Sequence, residues 1–391
     1  MTEWIECTLD KLGEIVGGAT PSTKCEDYYG GSIPWITPKD LSSFKGRYIT
    51  SGERNITEKG LASCSAQMMP KDAVLFTSRA PIGYVAIASQ SVCTNQGFKS
   101  IVVNEKADPL FVYYLLKYNK DAIEAMGSGT TFKEVSGKTM RAVKVRIPLD
   151  VSYQKRIAAV LDSLDTKIEN NERINDNLLE QMQALYKSWF VDYRPFGGVM
   201  PTSWTQTGIY SLANIIYGAP FASKQFNTEG NGRPIIRIRD LKDQQFATYT
   251  TEVHPKGYLL HPGDIVVGMD GEFRPYIWGN DEAWLNQRVC VFENKRPNGK
   301  AFLYFTIKPL LFAIEQTQVA TTVIHIGKKD FDAFEIMLPD TELLDAFDVI
   351  TTPMVEQIVS NSIENKRLAI MRDALLPKLM SGEINVSNIQ L

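Results

Sequence analysis

Between residues 127 and 147 the chain carries Lys133, Lys138, Arg141, Lys144 and Arg146 against a single acidic residue, Glu134. Positive charge at that density suits nucleic-acid phosphates, a contact that sets position without reading sequence. A solvated strand or loop face explains the same run equally simply. Arg79 stands in Thr77-Ser78-Arg79-Ala80-Pro81-Ile82-Gly83, a turn bounded by Pro and Gly. From such a turn a planar guanidinium can place two donors on guanine O6 and N7; a structural ion pair is its plain alternative. In the second half Arg237, Arg239, Arg274 and Arg288 are the analogous candidates. Asn95-Gln96 and Asn286-Gln287 have the amide chemistry to read adenine, but a pair present in both halves reads better as turn residues.

Reaction chemistry is sought and not found. Gly127-Ser128-Gly129 has no following Gly-Lys-Ser/Thr, so it makes no phosphate-cradling loop. Asp108-Pro109-Leu110-Phe111 lacks the second Pro of an amino-methyltransferase (D/N)PP(Y/F) string and reads as a helix start with Pro at its first position. His254, His261 and His325 show no metal-ligand spacing. Asp270 and Glu272 lack the following Lys of a nuclease site. The chain is therefore expected to be non-catalytic, with no cofactor and no metal of its own.

The elements that must position these residues come in two copies. Ile33-Pro34-Trp35-Ile36 and Asp40-Leu41 match Arg233-Pro234-Ile235-Ile236 and Asp240-Leu241 at an offset of 200. Pro70-Lys71-Asp72-Ala73-Val74 matches Pro262-Gly263-Asp264-Ile265-Val266 at 192, and from there the offset settles at 191 through Asn95/Asn286, Phe111/Phe302, Thr130-Thr131/Thr321-Thr322 and Pro148/Pro339. An ordered series at a steady offset is a duplicated domain. Each copy reads as strands and turns, then a short amphipathic helix near 109–124 or 300–316, a closing Pro, and a long helix.

The long helices carry matching heptad seams at offset 190: Ile157, Leu161, Leu164, Ile168, Leu178, Met182, Leu185 and Trp189, against Phe347, Thr351, Met354, Ile358, Leu368, Leu375 and Leu379. Pro353 is expected to start or kink the second helix and Pro377 to end it; Arg194-Pro195-Phe196-Gly197-Gly198 should end the first. Asparagines interrupt both seams at Asn171, Asn175, Asn361 and Asn365. If the helices pair antiparallel, residues summing to 536 face each other, so Asn171 meets Asn365 and Asn175 meets Asn361. Such buried amides fix register, because a slipped register strands them against Leu or Ile. The alternative is that each seam packs only on its own domain.

The bulk numbers agree with a multidomain globular chain. There are 391 residues, 44% of them hydrophobic and 22% charged. Net charge is −3; residues 1–150 hold 18 Lys+Arg against 16 Asp+Glu, and residues 196–340 hold 14 against 15. Any positive surface must be local or come from another subunit. Five cysteines without a CxxC pair fit a reduced cytosol. The first residues have no signal-peptide character, and no run is apolar enough to span a membrane.

Taken together the strings resemble the specificity subunit of type I restriction–modification enzymes. Pro34-Trp35-Ile36-Thr37-Pro38-Lys39-Asp40-Leu41, Thr77-Ser78-Arg79-Ala80-Pro81-Ile82-Gly83, Thr94-Asn95-Gln96-Gly97-Phe98, Gly129-Thr130-Thr131-Phe132-Lys133, Lys187-Ser188-Trp189-Phe190-Val191-Asp192 and Leu375-Leu376-Pro377-Lys378-Leu379-Met380-Ser381-Gly382-Glu383-Ile384 are similar to motifs of that family. In the second half Gly268-Met269-Asp270-Gly271-Glu272 stands where an S-R turn is expected.

The resemblance implies an α+β fold. Two duplicated target-recognition domains, 1–150 and 195–341, would be separated by antiparallel coiled-coil helices, 151–194 and 342–391, with pseudo-twofold symmetry. It implies binding of double-stranded DNA at a bipartite, non-palindromic target, two methyltransferase subunits and restriction subunits as partners, a cytoplasmic location and no membrane. S-adenosylmethionine, ATP and Mg²⁺ would belong to the partners. The DNA-contact candidates become Lys39, Ser78, Arg79, Thr130, Thr131, Lys133 and Lys138 in the first copy, and Arg237, Arg239, Arg274, Arg288 and Thr322 in the second. Helices of about 50 Å, at ~1.5 Å per residue, suit half-sites one DNA turn apart. A stand-alone methyltransferase system would use the same subunit, and a non-DNA coiled-coil scaffold remains open on composition.

Overall fold

The structure, a computed structural model, describes residues 3–129, 133–317, 325–387 and 389. It forms two compact units, Met1–Glu169 with Leu368–Leu391, and Asn170–Arg367. The division runs through both long helices, so each unit contains a stretch of each.

In the first unit Gly13–Gly17 pairs antiparallel with Lys99–Val103, which leads through Val74–Phe76 and Val85–Ala88 to Tyr48–Ile49, a five-stranded sheet. Tyr29–Ile36 lies between Arg54–Ile56 and Cys93–Thr94 in a second sheet. Trp4–Thr8 pairs with Lys144–Pro148 and closes the unit. The helix Pro109–Tyr118 starts where Asp108 accepts from the Phe111 N–H, as its Pro at the first position suggests. Its apolar residues Phe111, Val112, Tyr114, Leu115 and Leu116 are buried in the core.

The second unit repeats this order. Ala213–Tyr217 pairs with Val289–Asn294, which pairs with Ile265–Gly268 and then Pro275–Ile277. Arg233–Ile236 runs parallel to Ala283–Leu285, as Trp35-Ile36 does to Cys93-Thr94 in the first unit. Thr205–Gly208 with Glu335–Leu338 closes it. The helix Lys300–Thr317 accommodates Pro309 in its interior.

The long helices span Val151–Tyr186 and Thr341–Ser381. The first continues as a π turn, Lys187–Val191, and then breaks as Tyr193, Gly197 and Gly198 take left-handed backbone. Two expectations about prolines are corrected: Pro353 does not start the second helix, and Pro377 does not end it. The second helix begins at Thr341, upstream of Pro353, and runs through Pro377 to Ser381. It stops at Gly382, whose φ of +80° a side-chain-bearing residue resists. A proline four residues from a helix end removes one hydrogen bond there, and packing of Leu379 and Met380 in the core outweighs that loss.

The seams pair with each other, and the alternative, that each packs only on its own domain, does not hold. Ile157 and Leu161 share the first unit's core with Leu375 and Leu379. Leu178, Met182, Leu185 and Trp189 share the second unit's core with Phe347, Met354 and Ile358. Helix pairs with helix, and the pair packs on the domain of its own unit.

Candidate nucleic-acid interface

In the first unit the family-like strings converge on one loop cluster. The Asn95 N–H donates to Ile36 O at 3.0 Å, the Ser78 N–H to Gly97 O at 2.7 Å, and the Val135 N–H to Ser78 O at 2.9 Å. The chain before Lys39, the Arg79 turn, the Asn-Gln-Gly turn and the segment after Lys133 are thereby tied together. Asn95 is structural here: its Oδ1 accepts from the Gly97 N–H at 2.9 Å.

Arg79 projects from this cluster, 46% exposed, with Nε 3.0 Å from Glu134 Oε2. The two residues also form a backbone bridge. Lys99 Nζ lies 3.7 Å from the other Glu134 oxygen, and burial lowers its pKa. Lys99 was not legible as a site residue, because a lone Lys in a strand gives no signal of what its fold neighbours are. Lys133, next to Glu134 in the chain, and Lys138 are exposed. Lys39 is exposed and pairs with Glu53 at 2.7 Å. Arg146 departs from the basic run: it stacks over Trp4 at 5.4 Å and donates to Ser381 O.

Ser78 requires correction. It is fully buried, its Oγ donating to Gly97 O at 3.2 Å, so it locks the turn and presents nothing to a ligand. Thr130, Thr131 and Thr322 lie outside the described residues.

The second unit builds the same frame. The Asn286 N–H donates to Ile236 O at 3.1 Å, the Met269 N–H to Arg288 O at 2.8 Å, and the Ile326 N–H to Met269 O at 2.9 Å. Arg239 takes the place of Lys39 and is 69% exposed, 3.8 Å from Asp240. Two other arginines are corrected as readers. Arg237 caps its own turn, with Nε 3.4 Å from Asp240 Oδ2 and Nη2 donating to Thr248 Oγ1. Arg274 places both terminal nitrogens on Glu315 and stacks over Phe312. A guanidinium committed on two sides has no free edge for a base. Arg288 is the exposed one; it meets His325 and Asp270, a pair that spacing alone did not connect.

The asparagine layer sits wholly within the second unit. Asn171 Nδ2 donates to Asn365 Oδ1 at 2.9 Å and to Glu364 Oε2 at 2.7 Å. Asn361 Nδ2 donates to Asn175 Oδ1 at 2.8 Å. These are the partners that the sum of 536 assigns. Changing all four to Leu is expected to raise the melting temperature while loosening the helix alignment, since the amide layer penalises a slip. A single cross-linking register in the fourfold variant would contradict this.

Among the described residues no group of three or more His, Cys, Asp or Glu side chains could hold a metal, and no helix is long and apolar enough to cross a membrane. Fold and site thus define a twice-built α+β binding domain whose loop cluster displays cations and amides. The model of the type I restriction modification DNA specificity domain matches residues 1–180 and again 201–360, and the chain belongs to that family. It is 32% identical to the type I restriction enzyme MjaIX specificity subunit of Methanocaldococcus jannaschii, over 99% of this chain and 95% of that one. It is 38% identical to the type I restriction enzyme EcoBI specificity subunit of Escherichia coli, over 35% of this chain and 29% of that one. The crystal structure of the type I restriction-modification system S subunit from M. genitalium has the same fold, with a TM-score of 0.61 at 16% identity, covering 97% of this chain and 96% of that one.

Proposed function

We propose that this chain is the sequence-reading, non-catalytic subunit of a type I restriction–modification complex. The observation that carries the reading is the loop cluster built twice on one frame of backbone hydrogen bonds, in a chain of this family. Residues 1–150 and 195–341 are the recognition domains, each contacting one part of a split, non-palindromic site on double-stranded DNA. Residues 151–194 and 342–391 form the helical part that docks two methyltransferase subunits, which restriction subunits join in the cytoplasm. Lys39, Lys133, Lys138 and Arg239 contact phosphates, and Arg79 reads a base. Asn171, Asn175, Asn361 and Asn365 hold helix register.

Long-read mapping of modified bases in cells carrying the chain and its methyltransferase tests this. The expected result is two different short sequences at a fixed gap of roughly 5–8 bp, as half-sites one turn apart require. A continuous or palindromic motif contradicts it. Arg79→Ala in the assembled complex is expected to weaken specific binding by about 1–3 kcal/mol, as for loss of a bidentate contact. With Nε held by Glu134, the two terminal nitrogens of Arg79 form the reading edge. Glu134→Gln should therefore lower specificity less than Arg79→Ala does, as measured by competition between target and scrambled duplexes.

A further inference from the structure

The frame that carries Arg79 in the first unit carries opposite charge in the second. The backbone bridge Arg79–Glu134 corresponds, at the common offset of 191, to the bridge Asp270–His325. An acid has replaced the arginine, and an imidazole has replaced the acid. A guanidinium returns from a third position: Arg288 stands where the first unit has Gly97. Its φ is +71°, a left-handed backbone that a long side chain seldom adopts. Such an outlier in a loop cluster points toward a functional demand on the side chain, because folding alone favours glycine there.

The side-chain contacts show what that demand is. His325 Nδ1 lies 2.6 Å from Asp270 Oδ1 and 3.0 Å from Met269 O, both acceptors, so this nitrogen carries a proton. Arg288 Nη1 lies 2.9 Å from Nε2 and 3.0 Å from Nδ1, so the guanidinium rests against the imidazole between its two nitrogens. Asp270 Oδ1 lies 3.9 Å from the same Nη1. The carboxylate orients the imidazole, and the imidazole in turn backs the guanidinium. In the first unit Glu134 holds Arg79 directly by Nε; in the second, His325 holds Arg288 by Nη1. Among the described residues each arginine is met on one side and has guanidinium nitrogens left over, and Arg288 is 53% exposed.

We propose that Arg288, held by His325 and Asp270, is the base-reading arginine of the second unit and contacts the O6 and N7 edge of a guanine in that unit's half-site. The inference rests on the proposed DNA-reading function and assigns the residue that executes it. It also explains how two copies of one domain avoid reading one sequence. At the position of Arg79 the second unit presents the Asp270 carboxylate, which repels the two acceptors of guanine. The guanine contact moves to the place from which Arg288 reaches.

The test uses the whole complex and modified-base mapping with wild type, Arg288→Gly and Arg288→Lys. Glycine is at ease at this φ, so the first variant folds; lysine keeps the charge and loses the planar fork. Both variants are expected to relax one G·C position in a single half-site and to weaken binding of the wild-type target about 5- to 150-fold, the range for one bidentate base contact. The other half-site and the gap stay unchanged, whereas Arg79→Ala relaxes the opposite half. An unaltered motif with Arg288→Gly overturns the proposal. So does full activity of Arg288→Lys, which identifies a phosphate contact, and so does uniform loss across all sequences. The wild-type map separately decides the function: a split motif there leaves the DNA-reading function standing even if Arg288 reads nothing.

Discussion

Arg47→Ala is expected to destabilise the first unit by about 3–5 kcal/mol, the range for leaving one side of a buried charge pair uncompensated. Arg47 lies in the loop between Pro38–Ser43 and Tyr48–Ile49 and is 5% exposed. Its Nη1 donates to Asp162 Oδ1 at 2.7 Å and to Asp162 O at 2.9 Å, and its Nη2 to Thr166 Oγ1 and Glu169 Oε2, both at 2.9 Å. Asp162, Thr166 and Glu169 are spaced four and three apart, so they line one face of the helix Val151–Tyr186. Burial works to lower the Arg47 pKa, yet Tyr114 and the two carboxylates hold it above the ordinary value. Asp162 and Glu169 are each one-third exposed, and water reaching them places the loss toward the lower end of the range. Urea unfolding of the purified chain should show an earlier transition in Arg47→Ala. Arg47→Lys should recover only part of the loss, since one ammonium cannot serve four acceptors in a planar fork. A shift below ~1 kcal/mol in the alanine variant would mean that the pair is worth no more than an exposed one.

Arg372→Met is expected to cost a similar amount, and to regain most of it in a triple variant. Asp165, 6% exposed, accepts from Arg372 Nη1 at 2.8 Å and from the Tyr114 hydroxyl at 2.7 Å. Burial, and then the Asp165 charge, raise the Tyr114 pKa, so the phenol stays a donor throughout the working range. Removing Arg372 strands a carboxylate with one neutral partner, a loss of about 3–5 kcal/mol. Replacing all three groups by apolar shapes, in Tyr114→Phe, Asp165→Leu and Arg372→Met together, removes every unpaired group, and such exchanges are often neutral or stabilising. Equal destabilisation of the single and triple variants in thermal melts would show that packing, not the stranded charge, sets the loss.

Arg372 illustrates where sequence reading stops. It is a polar residue on the seam face of the second helix, but its partner cannot be named from the seam. Asp165 lies one position off the facing residue expected from the sum of 536, and Tyr114 comes from a different element. The asparagines behaved otherwise: Asn171 with Asn365 and Asn175 with Asn361 follow from periodicity and an antiparallel assumption. The prolines show a third case. Pro353 and Pro377 carry strong local helix-breaking signals, and the helix runs through both because its packed face outweighs them.

The candidate binding residues divide in the same way. Lys39 and Arg239 precede Asp40 and Asp240, which match at an offset of 200, and the structure places both cations exposed at matching turns. Ser78, Arg237 and Arg274 had suitable chemistry in suitable strings, yet they are spent on Gly97, Asp240 with Thr248, and Glu315. Side chains of one type on equivalent loops differ in availability according to what the fold brings beside them.

The sequence by itself determined the twofold repeat, the two helical seams and, once the helices are taken as antiparallel, the facing of their asparagines. Each is a regular spacing, and a regular spacing is legible along the chain without knowledge of the path the fold takes. Tertiary structure alone decided which cations remain free. Arg79 meets Glu134 across 55 positions, Arg288 meets His325 across 37, and Arg47 meets Glu169 across 122. A charge is displayed or neutralised by whatever group closes over it, and that closure is set by sheet pairing and loop path, which leave no periodic trace in the chain.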